Sequence, residues 1–299
     1  MFSLKGSIVA LVTPMDLGGG IAWQSLFDLI DWHIESGTKG IVFVGTTGES
    51  ATIDVSEHVQ IIEQSSAYAK GRIPIIAGTG ANSTKEAIYL TSAAKKAGAD
   101  ATLLVTPYYN RPTQEGLVAH YSEIANSVDI PQILYNVPAR TGCDLLPETV
   151  LRLSKHKNII GLKEATPDLK RLDELKEVFN SQMKDKPFLL YSGDDPTSAQ
   201  FILNGGSGAI SVTANVVPSK ISEICNSALS GNSEEVFSLN ALLDDLNAFL
   251  FIESNPIPVK WILHRLGRIP AGLRLPLTTL DTKYHKEIEI ILKKLSLLN

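Results

Sequence analysis

Eight short stretches of this chain are apolar and β-branched, carry no internal polar alternation, and stop at turn residues. They cover residues 7–14, 40–47, 74–80, 101–107, 131–138, 159–165, 188–195 and 208–215. A strand that is apolar on both faces is covered on both faces, as in a parallel sheet. Between these runs the apolar period lengthens to that of a helix. After Gly20, residues Leu26, Phe27, Ile30 and Ile34 recur at helical spacing until Gly37. Asp54-Val-Ser-Glu57 and Ser83-Thr-Lys-Glu86 have the form of capping boxes at helix starts. Strand starts recur roughly every 25–35 residues, the size of one βα unit. Eight units in a row predict a closed (β/α)8 barrel, a TIM barrel, since a doubly wound sheet usually stops at about five or six strands. From residue 218 onward the chain reads as helical, with Phe237, Leu239, Leu242, Leu243 and Leu246 in pattern. One of these helices completes the barrel. The expectation is a barrel over residues 1–225 and a C-terminal helical extension over 226–299, used for packing or oligomer contacts.

Composition narrows the classes of function. Of 299 residues, 44% are hydrophobic and 20% charged, which excludes a disordered chain. Lys and Arg number 27 against 32 Asp and Glu, a net charge of −5. Nucleic acid and anionic membrane surfaces call for a basic footprint instead. The first apolar run stops at Pro14, too short for a signal peptide or a membrane span. Cys143 and Cys225 have no CxxC spacing and no neighbouring His cluster. They argue against a disulfide scaffold or structural zinc and fit a reducing cytoplasm.

Barrel active sites lie at the C-terminal ends of the strands, which shortens the list of candidates. Lys163 closes the run Ile159-Ile-Gly-Leu-Lys163, and period-2 parity puts it on the face of Gly161. If that face points inward, with Gly161 leaving room, the amine leaves water and its neutral, nucleophilic form is favoured. The alternative is a strand-end lysine that snorkels to solvent or pairs with Glu164. Tyr135 ends the neighbouring strand, where a phenol either shuttles protons or merely fills the barrel mouth. Thr46 and Thr47 sit in a glycine-flanked turn suited to a small carboxylate, or in a plain βα turn. Tyr109 is a hydroxyl relay or an interface aromatic. Arg140 has the fork for a carboxylate, though a surface arginine is the commoner role. Asp194 and Asp195 find no partner spacing for a metal and read as loop caps. No glycine loop follows the eighth strand, which points to an unphosphorylated substrate. Neither GxGxxG nor a Walker pattern is present.

As a set, several segments resemble the dihydrodipicolinate synthase family, within the wider N-acetylneuraminate lyase superfamily. They are Gly45-Thr-Thr-Gly-Glu-Ser-Ala-Thr52, Thr106-Pro-Tyr-Tyr-Asn-Arg-Pro112, Gln132-Ile-Leu-Tyr-Asn-Val-Pro-Ala-Arg-Thr-Gly142, Ile160-Gly-Leu-Lys-Glu-Ala165, Ser192-Gly-Asp-Asp195, Ile210-Ser-Val-Thr-Ala-Asn215 and Asn255-Pro-Ile-Pro-Val-Lys260. The resemblance runs from Gly6 to the C-terminal helices.

The resemblance implies a class I aldolase-type lyase of lysine biosynthesis that condenses pyruvate with L-aspartate 4-semialdehyde. Lys163 matches the lysine that forms an imine with pyruvate, and Tyr135 the proton-transfer tyrosine. Thr46 and Tyr109 match the rest of a hydroxyl relay, with Tyr109 supplied by the neighbouring subunit. Thr47 and the backbone at Ile210 match pyruvate contacts, and Arg140 the group that meets the carboxylate of the semialdehyde. A homotetramer, a dimer of dimers, and no metal or organic cofactor are implied. Ser50, Ala51, His58, Asn82, Glu86 and Tyr108 match a site at which lysine inhibits many members. Val55 departs from the histidine of well-known inhibited members, which implies weaker inhibition. Sibling pyruvate-dependent aldolases share the lysine, the tyrosine and the glycine-rich turn. Arg140 and the doubled Thr46-Thr47 favour the synthase, because a second substrate bearing a carboxylate wants an arginine where a sugar wants neutral partners.

Overall fold

The computed structural model describes residues 3–182 and 188–298. Residues 1, 2, 183–187 and 299, which the two expected segments include, lie outside the described residues. Eight parallel strands close on themselves in sequence order. They are β1 (Gly6–Ala10), β2 (Gly40–Phe43), β3 (Ile75–Gly78), β4 (Ala101–Val105), β5 (Gln132–Asn136), β6 (Ile159–Glu164), β7 (Leu189–Ser192) and β8 (Gly208–Ser211). Each ends before the apolar run that predicted it. The residues left over turn away from the ladder and build the loops of the barrel mouth.

Helices follow the strands: α1 (Trp23–Glu35), α2 (Val55–Ala69), α3 (Thr84–Lys96), α4 (Gln114–Ser127), α5 (Pro138–Thr141), α6 (Pro147–Ser154), α7 (Lys170–Gln182), α8 (Asp195–Leu203) and α9 (Pro218–Leu229). The expected division at 225/226 falls inside α9, which packs on β1 as the eighth barrel helix. The extension therefore begins beyond Leu229, as α10 (Ser233–Ala241), α11 (Asp244–Phe249), α12 (Ile257–Arg265) and α13 (His285–Lys294). Leu243, Leu246, Ile262, Leu263 and Ile288 share one apolar core with the outer faces of β1 and β2. Phe237 and Leu242, read as part of the apolar stripe, are exposed instead. Among the described residues no helix is long and apolar enough to cross a membrane.

Alternation along the strands sorts the two faces. Ile8, Val42, Ile76, Ile133, Tyr135, Tyr191 and Ile210 fill the barrel interior, while Val9, Ile41 and Ile75 meet the helices. The last seam, β8 to β1, is tight. A Cβ at Gly208 would meet the Gly6 carbonyl at 2.1 Å, and φ there is +158°, so the barrel closes on a bare backbone. At the capping boxes, Asp54 accepts from the Glu57 amide at 2.9 Å and Ser83 from the Glu86 amide at 3.4 Å. Glu57 reciprocates, its carboxylate accepting from the Asp54 backbone amide. The same carboxylate grips the Arg274 guanidinium at 2.6 and 2.7 Å and so ties α2 to the extension.

Candidate active site

Lys163 lies inside the barrel and is 5% exposed. Its neighbours in register are Tyr135 on β5 and Tyr191 on β7. The Lys163 Nζ stands 4.4 Å from the centroid of the Tyr135 ring. Parity removes the pairing with Glu164. Successive strand residues face opposite ways, and Glu164 turns outward to Asn136 Nδ2 (3.0 Å) and the Thr166 amide (2.9 Å). Among the described residues Lys163 makes no ion pair and no hydrogen bond. Its amine is therefore uncommitted.

The room for this side chain does not come from Gly161, as parity alone suggested. A Cβ at Gly161 would strike the Leu189 carbonyl at 2.6 Å, so that glycine serves strand packing. Gly193 makes the space, since a Cβ there would meet Lys163 Cε at 2.7 Å and Cγ at 3.0 Å. Tyr191 seals the floor, with its hydroxyl on the Leu4 carbonyl at 2.7 Å.

The mouth opens into a cavity of about 580 Å³ lined by Thr46, Val137, Arg140, Thr141 and Asn255, among others. Thr46 and Thr47 sit on the turn after β2. That turn is bounded by two residues in the left-handed region, Val44 (φ +51°) and Glu49 (φ +60°). For a β-branched valine this conformation costs on the order of 1–3 kcal/mol, so the surroundings must hold it. They do so from the extension. Glu49 is paired with Lys260 of α12 inside the protein, and its second oxygen accepts from the Arg274 amide at 3.3 Å. Burial holds the Lys260 ammonium below its ordinary range, against the attraction of Glu49. The Thr47 hydroxyl accepts from Asn255 Nδ2 at 3.0 Å.

Arg140 projects from α5 at the rim and is exposed. One arm of its fork donates to the Asn255 carbonyl at 3.3 Å. Asn136 braces this loop, bonding Asp144 at 2.8 Å and the Leu145 amide at 3.0 Å, and Arg171 clamps Asp144 at 2.8 Å. Ile210 is fully buried on β8 in the same inner layer as Tyr135.

Tyr109 is the exception. Its ring is 92% exposed and its backbone is left-handed, with φ +72°. The loop is pinned there by Asn110 on the Asn82 carbonyl (2.9 Å) and Arg111 on the Gly142 carbonyl (3.0 Å). No hydrogen bond among the described residues joins Tyr109, Thr46 and Tyr135 within one chain.

Ser50, Ala51, His58, Glu86 and Tyr108 line the outer part of the same cavity, as does Val55. Asn82 stands behind them, donating to the Tyr108 carbonyl at 3.3 Å. His58 is buried with Nε2 2.7 Å from the Gly78 carbonyl, and burial lowers its pKa. Tyr108 is raised by burial first and then by the charge of Glu86. Asp194 caps α8 through the Thr197 amide at 3.2 Å. Asp195 binds the Val212 and Thr213 amides at 2.8 and 3.0 Å and so fixes the end of β8.

Sequence reasoning gave no role to Asn255, Lys260, Arg274, Glu49 or Asn136. Asn255 and Lys260 stood in a noted motif, and Asn136 and Glu164 end apolar runs with polar groups. Asn255 meets Thr47, and Lys260 and Arg274 meet Glu49, across more than 200 positions of the chain, which the motifs do not reveal.

This geometry meets a matching set of relatives. Residues 3–295 match the model of the dihydrodipicolinate synthetase family. A 4-hydroxy-tetrahydrodipicolinate synthase of Pseudomonas savastanoi pv. phaseolicola is 59% identical over 291 residues, covering 97% of this chain and 98% of that one. The chloride-inhibited dihydrodipicolinate synthase of Acinetobacter baumannii, solved with pyruvate, superposes with a TM-score of 0.96 at 51% identity, covering 99% of this chain and 100% of that one. A synthase of Cyanidioschyzon merolae, solved with lysine bound, gives a TM-score of 0.93 at 36% identity over 98% of this chain and 99% of that one. The chain is an enzyme, a lyase of the class I aldolase type, and it belongs to the dihydrodipicolinate synthetase family.

Proposed function

We propose that this enzyme joins pyruvate to L-aspartate 4-semialdehyde, in the diaminopimelate branch of lysine biosynthesis, through an imine on Lys163. The observation that carries the reading is a buried, unpaired amine set in register between Tyr135 and Tyr191 inside the barrel, in a fold whose mouth loops carry Thr46 and Arg140 on the wall of a cavity. The Lys163 amine adds to the keto carbon of pyruvate, and the resulting carbinolamine loses water to give the imine. A methyl proton leaves, and the enamine forms a carbon–carbon bond to the aldehyde carbon, whose oxygen takes up a proton. The substrate amine then displaces Lys163 from the imine carbon, which closes the ring and frees the lysine. One water is released overall. Tyr135 carries the protons, with Thr46 and Tyr109 as its relay. Thr47 and the backbone at Ile210 hold the pyruvate carboxylate, and Arg140 meets the carboxylate of the semialdehyde.

A tyrosine ring that is almost fully exposed in one chain fits a relay completed by a second copy, within a dimer of dimers. Lysine is the expected inhibitor at the outer part of the cavity, held by Glu86, Tyr108, Asn82, Ser50, Ala51 and His58. The soluble reaction and the reduced cysteines, both buried and free, fit a cytoplasmic enzyme.

The test is loss of semialdehyde, followed through a coupled reductase, with and without pyruvate. Pyruvate-dependent consumption is expected, and borohydride should trap pyruvate on Lys163. A Lys163→Ala chain that turns over at the native rate overturns the imine mechanism. Trapping without semialdehyde consumption transfers the reading to a sibling aldolase.

A further inference from the structure

Two anion-binding groups of the proposed site converge on one residue of the extension. Asn255 is buried, its side chain reaches Thr47, and its main chain reaches Arg140. Thr47 and Asn255 stand 208 positions apart in sequence, and Arg140 and Asn255 stand 115 apart. The direction of the first bond matters. A hydroxyl offers one proton and two lone pairs. Asn255 Nδ2 donates at 3.0 Å and so occupies a lone pair of Thr47 Oγ1. No bond among the described residues uses the Thr47 proton. Its O–H is thus kept as a donor, turned away from Asn255. The reverse orientation of the amide would place Oδ1 on Thr47 and consume that proton.

We propose that Asn255 is a positioning residue: its amide turns the Thr47 hydroxyl proton toward the carboxylate of bound pyruvate, while its carbonyl stations the Arg140 fork at the rim. The two functions use different atoms, so they separate on mutation. Removing the side chain disturbs pyruvate and leaves the carbonyl in place for Arg140. The inference rests on the reading of the site given above.

Borohydride trapping over a range of pyruvate concentrations, read by intact mass, measures the pyruvate step alone. Asn255→Ala should raise the half-trapping concentration about five- to tenfold, the size of one net hydrogen bond. The KM for the semialdehyde should move less than about twofold, since the backbone contact persists. Thr47→Val should raise the pyruvate midpoint as well, and the double variant should be no worse than Thr47→Val alone. Residues that act through one contact are non-additive in this way. Asn255→Asp fills the same volume and carries the test if the alanine variant does not fold. Its carboxylate accepts the Thr47 proton, so its midpoint should exceed that of wild type.

An unchanged midpoint in Asn255→Ala or Asn255→Asp overturns the proposal. So do additive effects in the double variant, or a parallel rise in both substrate constants, which marks a merely structural residue. Absence of any trapped adduct in wild type strikes the parent reading instead, and is thereby told apart from failure of this inference.

Discussion

Lys260→Met tests how the extension holds the catalytic turn. Lys260 and Glu49 have side chains only 2% and 0% exposed. Their attraction is already outweighed by burial on the lysine side, which keeps the ammonium below its ordinary range. The pair is therefore a poor source of net stability, but each charge depends on the other. With the ammonium gone, Glu49 retains the Arg274 amide at 3.3 Å and the Thr52 hydroxyl at 3.4 Å, both long contacts. Leaving one buried charge unpaired costs about 3–5 kcal/mol. At roughly 2–4 °C per kcal/mol, the scale for chains of 150–250 residues, the melting temperature should fall by on the order of 6–20 °C. Glu49 also ends the turn of Thr46 and Thr47 in a left-handed conformation, so the pyruvate midpoint should rise with the loss of stability. The double variant Glu49→Gln/Lys260→Met carries no buried charge and should recover most of the melting temperature, because replacing a whole buried pair is often near neutral. Thermal unfolding followed by circular dichroism decides this. A single variant that melts within about 2 °C of wild type, or a double variant that melts lower still, refutes the reasoning.

Three further outcomes follow from the same structure. Gly193→Ala puts a methyl 2.7 Å from Lys163 Cε and should slow imine trapping roughly a hundredfold by displacing the amine, with a wild-type trapping rate as the contrary result. His33 is buried with Nδ1 on the Thr38 hydroxyl at 2.9 Å, and burial, aided by the charge of Arg268, brings its pKa down to about 3. The unfolded chain then binds the extra proton first, so stability is full above about pH 6.5 and is lost as pH falls toward 3. His33→Gln should flatten that slope in urea titrations, and an unchanged slope counts against it. Lysine should inhibit turnover, and Val55→His should tighten inhibition several-fold by adding one hydrogen-bonding group to the cavity wall. Activity indifferent to saturating lysine removes the regulatory assignment.

Much of the barrel was legible because local rules and the global fold agree. The eight double-faced apolar runs became eight parallel strands, and the Asp54 and Ser83 starts became helix caps. Parity set Lys163 on the face of Gly161 but left open whether that face points inward, and the structure decides it by burying Lys163 in the barrel and turning Glu164 to Asn136. Parity failed at Gly161, since the space around an inward side chain is set by the adjacent strand. The glycine that matters, Gly193, lies one strand over.

What stayed hidden is contact between distant segments and backbone that breaks local preference. Nothing near Val44 signals a left-handed valine, and nothing near Glu49 signals a partner 211 positions away. These two failures have one cause. A strained turn persists only where outside contacts over-determine it. Here those contacts come from Asn255, Lys260 and Arg274, all beyond the barrel itself. The surplus helices that sequence reasoning could assign only to packing or oligomer contacts thus supply the restraint on the turn. A charge pair that burial makes costly is intelligible on the same ground. Its worth lies in fixing Glu49, and with it the hydroxyls of Thr46 and Thr47, rather than in stability. If so, the uncharged double variant Glu49→Gln/Lys260→Met should recover the melting temperature without recovering the pyruvate midpoint. Recovery of both together would show that the pair serves the fold alone.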